Sequence, residues 1–376
     1  MLQCQSDKFF LPPDKYYLNC AFLSPMMKNI ETAGIDTLQV MRDPSQVTPN
    51  MFFEGVNQTR QLFSQLINCR EDQIAVIPST SYGISTISKN LSIGHGDNIV
   101  LIQDQFPSNV YAWRRLANTT SSTIRTVLRG KKNWTQKILE SINYRTAVVA
   151  METIHWTNGY AFDLNEISQR THDVGAHLIL DGTQSIGAVP LDVSTINPDA
   201  IVCAGYKWLL GPYGTAFLYV GERFKDGIPL EETWIARRGS DKFGELVNYT
   251  DEYRSGAIRF DRGQSCAFAQ TAMMNEGLKQ ILEWGTDQIQ LYCSELITDF
   301  LSVIQDHGYS VDHTCLPHLF GLGIPKHLDC NELNEQLISA QISVSLRGNS
   351  IRVSPNVYNS KDDIHALQQV LLSVVK

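Results

Sequence analysis

The 376-residue sequence has no excess of basic charge, since 31 Lys and Arg against 39 Asp and Glu leave a net charge of −8. That balance argues against a nucleic-acid partner. The densest basic run, "RGKKNW" (129–134), reads as a solvated turn. No C-x-x-C pair occurs. The eight cysteines, at 4, 20, 69, 203, 266, 293, 315 and 330, are scattered, a pattern expected of reduced thiols in a cytoplasmic protein. No apolar run approaches the roughly 18 residues of a membrane span. The opening "MLQCQSDKFF" lacks the charged-then-apolar order of a secretion signal. The histidines at 307, 313, 318 and 327 show neither H-E-x-x-H spacing nor paired cysteines, so no metal site is expected. A nucleotide-binding dehydrogenase is disfavoured too, because no G-x-G-x-x-G follows a strand-like run and "GLG" at 321–323 is too short.

What is present is a repeating alternation. Six short apolar runs, "QIAVIP" (73–78), "NIVLIQ" (98–103), "TAVVAM" (146–151), "HLILD" (177–181), "AIVCA" (200–204) and "AFLYV" (216–220), are separated by amphipathic segments such as "NVYAWRRLA" and "DLNEISQRTHDVG". Runs without polar alternation predict strands covered on both faces, hence an α/β domain with a mainly parallel sheet. The last third changes character. Two long helix candidates (266–285 and 286–308) precede short β-like pieces at 319–325, 342–348 and 350–355 and a final helix, "KDDIHALQQVLLSVVK". That order predicts a smaller α+β domain. The expected division is an arm over 1–45, a large domain over 46–245 and a small domain over 246–376.

In open α/β sheets, ligands bind beyond the carboxyl ends of the strands. Asp181 follows "HLIL", and Tyr206-Lys207 follows "AIVCAG". Taken singly, these read as a turn carboxylate and half of an ion pair. "STSYGIS" (79–85) opens a helix after "AVIP", either as an ordinary cap or as a phosphate cradle. Phe106 follows "NIVLIQDQ". Together the four strand ends suit a flat aromatic ligand with a phosphate, a ring nitrogen that wants an anion, and an aldehyde that a lysine can capture. That description is pyridoxal 5′-phosphate.

The stretch "LILDGTQSIGAVPLDVSTINPDAIVCAGYKWLLGPYGTAFLYV" (178–220) resembles the cofactor core of the class V aminotransferase family of fold type I. That family includes cysteine desulfurases, selenocysteine lyases, kynureninase and isopenicillin N epimerase. The resemblance extends from about residue 16 to 376. It implies a homodimer with shared active sites and a small amino-acid substrate. By position, Lys207 resembles the lysine that condenses with the cofactor aldehyde and Asp181 the partner of the ring nitrogen. Gln184 resembles the residue beside the ring oxygen, Thr80 and Ser81 the phosphate loop, and Phe106 the residue stacked on the ring. Tyr206 takes the place of a frequent histidine and is expected to reach the phosphate. Gly263 and Gln264, in "SGAIRFDRGQS", are expected at the cofactor phosphate of the neighbouring subunit.

In "LRGNSIRVSPNVYNSKDDI", Arg352 resembles the arginine that holds a substrate α-carboxylate, and Arg347 is a second candidate. In "ETIHWTNG", His155 and Trp156 are expected to contact substrate, with His155 either an acid or base or simply packed. One departure bears on the reaction. "VSLRGNSIRVSP" contains no cysteine, whereas desulfurases of the family carry a sulfur-accepting one on a loop near here. The expectation is therefore an aminotransferase or a β-eliminating (carbon–sulfur) lyase. An epimerase and a non-catalytic binding protein are the alternatives.

Overall fold

A computed structural model describes residues 2–130 and 133–374. Lys131 and Lys132 of the basic run, and the last two residues of the final helix candidate, lie outside the described residues. The central sheet has seven strands among the described residues: β1 (Ile74–Ile77), β2 (Asn98–Ile102), β3 (Thr123–Val127), β4 (Thr146–Glu152), β5 (His177–Asp181), β6 (Ala200–Ala204) and β7 (Ala216–Val220). Their spatial order is β1-β7-β6-β5-β4-β2-β3. Only β7 runs against its neighbours, so β1 to β6 share one direction and bring their carboxyl ends to one edge.

The continuous apolar runs have a direct cause. Leu178 and Leu180 of β5 pack into one core while Ile179 packs into another, and Ile201 and Val202 of β6 divide in the same way. With a side-chain period of two, a strand covered on both faces has no position left for a polar residue. β3 was not visible in the sequence for the converse reason. It is an edge strand, "TIRTV", and only Val127 is buried.

Among the described residues, ten helices have eight residues or more: α1 (Lys28–Val40), α2 (Met51–Leu66), α3 (Thr80–Lys89), α4 (Tyr111–Thr120), α5 (Trp134–Ser141), α6 (Leu164–Asp173), α7 (Phe268–Trp284), α8 (Thr286–Asp306), α9 (Cys330–Ser339) and α10 (Lys361–Ser373). Ile84 and Ile87 of α3 and Trp113 of α4 cover one face of the sheet. The other face takes Phe63 of α2, Ile138 of α5, Ile167 of α6 and Leu278 of α7. There Phe63 stacks on Phe217 of β7 with ring centroids 4.0 Å apart.

A second core lies under the antiparallel sheet formed by β8 (Ser310–Val311), β9 (Phe320–Gly323), β10 (Ser345–Arg347) and β11 (Ser350–Val353), in the order β10-β11-β9-β8. Residues Leu296 to Ile304 of α8 belong to this core, whereas Ile289 and Cys293 belong to the first. The expected boundary at 246 therefore does not mark a change of core, because α7 packs with α1 and α2 on the large sheet. The N-terminal segment spans both units. Tyr16–Tyr17 pairs in parallel with Ile342–Ser343, and Leu18 enters the small core while Cys20 and Ala21 enter the large one.

Candidate active site

The parallel strand ends open into a pocket lined by Thr80, Phe106, Glu152, Trp156, Asp181, Thr183, Gln184, Ala204, Tyr206 and Lys207. Lys207 comes from the loop between β6 and β7. Gly205 lets that loop fold tightly, since a Cβ there would stand 2.7 Å from the Thr215 carbonyl oxygen. The Gly205 N–H donates to Thr215 at 2.9 Å, and Gly205 in turn accepts from Gly211 at 2.9 Å. Trp208 then donates its indole N–H to Gln184 Oε1 at 2.8 Å, tying the lysine loop to the loop that follows Asp181.

Lys207 is 6% exposed, and among the described residues it has no ion-pair partner. Burial pushes its pKa down to about 8; the Arg352 charge adds to this, and Asp181 and Glu152 oppose it. Its Nζ lies 5.5 Å from the centre of the Phe106 ring and 5.7 Å from that of Tyr206.

Asp181 is buried, which pushes its pKa upward, while hydrogen bonds from the Thr183 side chain and backbone favour the charged form. The Thr183 N–H donates to its Oδ1 at 3.0 Å. Beside it stands a carboxyl group that the sequence reading passed over. Glu152 ends β4 as Asp181 ends β5, the two are register partners, and both line the pocket. Glu152 accepts from Phe106 N–H at 2.6 Å and from Trp156 N–H at 2.9 Å, so one side chain anchors two pocket loops. Burial pushes its pKa up to about 8, with the Asp181 charge adding to the rise. The signal that marks Asp181, a carboxylate closing an apolar strand, is equally present in "TAVVAME".

The remaining expected residues divide into those at the pocket and those away from it. Thr80 lines it from the first turn of α3, where no hydrogen bond to the backbone N–H of Thr80 or Ser81 occurs among the described residues. Ser81 is exposed and its hydroxyl pairs with Ser79 at 2.9 Å. Trp156 lines the pocket with its indole N–H donated to the Asp104 carbonyl at 2.7 Å.

Of the two roles open to His155, the geometry favours the packed one. The residue is 2% exposed and does not line the pocket. Its Nε2 lies 3.1 Å from the Gln103 carbonyl and its Nδ1 2.9 Å from Thr157 Oγ1, so both ring nitrogens are committed. Burial pushes its pKa down to about 4, which keeps the ring neutral. It is a packed histidine, resting on Trp134 at 5.0 Å between ring centres.

Gly263 and Gln264 also stand away from this chain's pocket. The Gly263 N–H donates to Glu231 at 2.9 Å, and Gln264 is exposed in a left-handed conformation at φ 58°.

Arg352, on β11, is 1% exposed and does not line the pocket, but it lies close enough to Lys207 for its charge to depress the lysine pKa. It donates to the Trp156 carbonyl at 3.0 Å, with longer contacts of 3.4 Å to Ser345 and 3.5 Å to Asn19. Burial, aided by the Arg347 charge, pushes its pKa down to about 10. A buried cation without a carboxylate is costly unless an anion joins it.

The Aminotransferase class-V family model matches residues 39–367. The chain belongs to the class-V aminotransferase family. It is a pyridoxal phosphate-dependent enzyme of fold type I. The uncharacterized aminotransferase YcbU of Bacillus subtilis (strain 168) is 24% identical over 330 residues, 86% of this chain and 85% of that protein. The apo structure of cysteine desulfurase from Thermococcus onnurineus NA1 superposes with a TM-score of 0.86 at 17% identity, over 100% of this chain and 99% of that one. The cystine C-S lyase C-DES, in complex with its reaction product cysteine persulfide, gives a TM-score of 0.86 at 17% identity over 96% and 98%. These two likenesses carry the fold.

The residues of this class-V chain fit the cofactor on their own chemistry. An unpaired buried amine, a buried carboxylate, an aromatic face and a helix start, capped by Ser79 but with the Thr80 and Ser81 N–H groups unpaired among the described residues, meet at one cleft. No helix among the described residues is long and apolar enough to cross a membrane.

Proposed function

We propose that this class-V enzyme acts on a free α-amino acid by transamination or β-elimination, without forming a persulfide on one of its own cysteines. The carrying observation is Arg352, a buried guanidinium with no carboxylate partner among the described residues, close enough to Lys207 to depress its pKa. Such a group suits a substrate α-carboxylate and would orient the α-carbon toward Lys207. Bound pyridoxal phosphate supplies an aldehyde for capture and a ring that withdraws electrons from the α-carbon.

The chain supplies the rest. Thr80 and the first turn of α3 would hold the phosphate, Phe106 would cover the ring, and Asp181 would hold a proton on the ring nitrogen. Gln184 keeps the lysine loop in register through Trp208. Lys207 Nζ takes the proton from the substrate α-carbon, a task suited to an amine whose pKa lies near 8. Against persulfide chemistry, no cysteine lines the pocket. Cys20, next in sequence to Asn19 that meets Arg352, is fully buried, and burial pushes its pKa up to about 11.

The same proposal includes a homodimer in a reducing, cytoplasmic setting. It is supported by eight free thiols, by exposed Trp234 and Tyr249, and by the fact that Gly263 and Gln264 do not line their own chain's pocket. Incubating the cofactor-loaded protein with amino acids, with and without a β-leaving group, and assaying pyruvate, ammonia and keto acids tests the reaction. Keto acid formed only with an amino acceptor indicates transamination, and pyruvate with ammonia indicates elimination. Protein-bound persulfide from cysteine would overturn the proposal.

A further inference from the structure

Two guanidinium groups share one face of the β10–β11 hairpin. Ser345 stands opposite Arg352 in the ladder, and Arg347 stands opposite Ser350. Side chains alternate with period two, so Arg347 and Arg352 project from the same face as diagonal neighbours, with Cα atoms about 7–8 Å apart. Both meet one indole. Their guanidinium carbons lie 5.0 and 5.7 Å from the centre of the Trp156 ring, and Trp156 lines the Lys207 pocket.

Neither arginine has a carboxylate partner among the described residues. Arg347 is half-buried and donates only to the Leu346 carbonyl, at 2.9 Å. The Nε of each is buried without a hydrogen-bond partner. Arg60, buried like Arg352 and also with an unpaired Nε, differs in being neutralised by Asp261. A single α-carboxylate accounts for one guanidinium, and the second then remains an uncompensated cation beside the first.

We infer that Arg347 completes, with Arg352, a subsite for a second acidic group, so that the preferred substrate is an α-amino acid whose side chain ends in an anion. This rests on the proposed reading of Arg352 as the α-carboxylate site and names the substrate class for it. The Trp156 indole, fixed through Asp104, is the platform that keeps both guanidinium groups in place.

The test uses the cofactor-loaded full chain and measures dissociation constants for aspartate, glutamate, asparagine and glutamine, by calorimetry and by the change in cofactor absorbance. One charge-assisted contact predicts that an acid binds at least about tenfold tighter than its amide. In Arg347→Gln that preference should fall to within about twofold, and in Arg347→Lys, which keeps the charge without the fork, part of it should survive. Acid and amide binding equally to the native protein would overturn the inference whatever the variants do, and an undiminished preference in Arg347→Gln would overturn the role of Arg347. If no amino acid changes the cofactor absorbance, the proposed function itself fails. If the absorbance changes but acids have no advantage, only the second subsite fails.

Discussion

Removing the amine of Lys207 should make the cofactor-free protein more stable. The residue is 6% exposed and its pKa falls from 10.5 to about 8, chiefly through burial. At about 1.4 kcal/mol per pH unit, that fall means a charged amine held at a cost of about 3 kcal/mol. Below pH 8 the folded and unfolded chains both carry the proton, so the full cost is present. Between pH 8 and 10.5 the unfolded chain keeps a proton that the folded chain has lost, and stability rises with pH. Above that window the cost is gone. Lys207→Met keeps the volume and removes the charge. In urea unfolding, the variant should exceed the native protein by about 3 kcal/mol at pH 7, and the gap should shrink to about 1 kcal/mol at pH 10. A variant no more stable at pH 7, or a gap independent of pH, would refute the reasoning. The expected gain is the stability given up to keep a nucleophile in apolar surroundings.

Arg352→Ala should raise the dissociation constant for amino acids by about tenfold to a hundredfold while leaving cofactor affinity within a few-fold, measured by absorbance titration of each. An equal loss of both affinities would count against its role. His155→Asn should cost stability but leave the shape of the pH–rate profile between pH 5 and 8 unchanged, because the native ring stays neutral down to about pH 4. Loss of a limb from that profile would restore a proton-transfer role for His155. Phe63→Ala, which removes the ring stacked on Phe217, should lower the unfolding free energy by about 3–5 kcal/mol, and a loss under 1 kcal/mol would contradict the packing described.

The features legible in the sequence were those with a local cause. Strands buried on both faces show as unbroken apolar runs, and the edge strand Thr123–Val127 does not, because only one of its residues enters a core. Asp181 and Lys207 stood out as charged groups where each neighbour asks for burial. Glu152 carries the same mark, but its part in the site, anchoring two pocket loops, depends on the Phe106 N–H that only the fold brings to it. The role of His155 turns on the Gln103 carbonyl, 52 residues away, and on Trp134. The change of core within α8 is likewise a tertiary fact, since nothing in an amphipathic helix says which of two cores its face will meet.

The most direct measurement is to load the protein with pyridoxal phosphate, reduce it with borohydride and locate the added mass by peptide mass spectrometry. The account predicts the modification on the peptide carrying Lys207, with no modification there in Lys207→Ala. A protein that takes up no cofactor, or that carries it stably on another lysine, would contradict it.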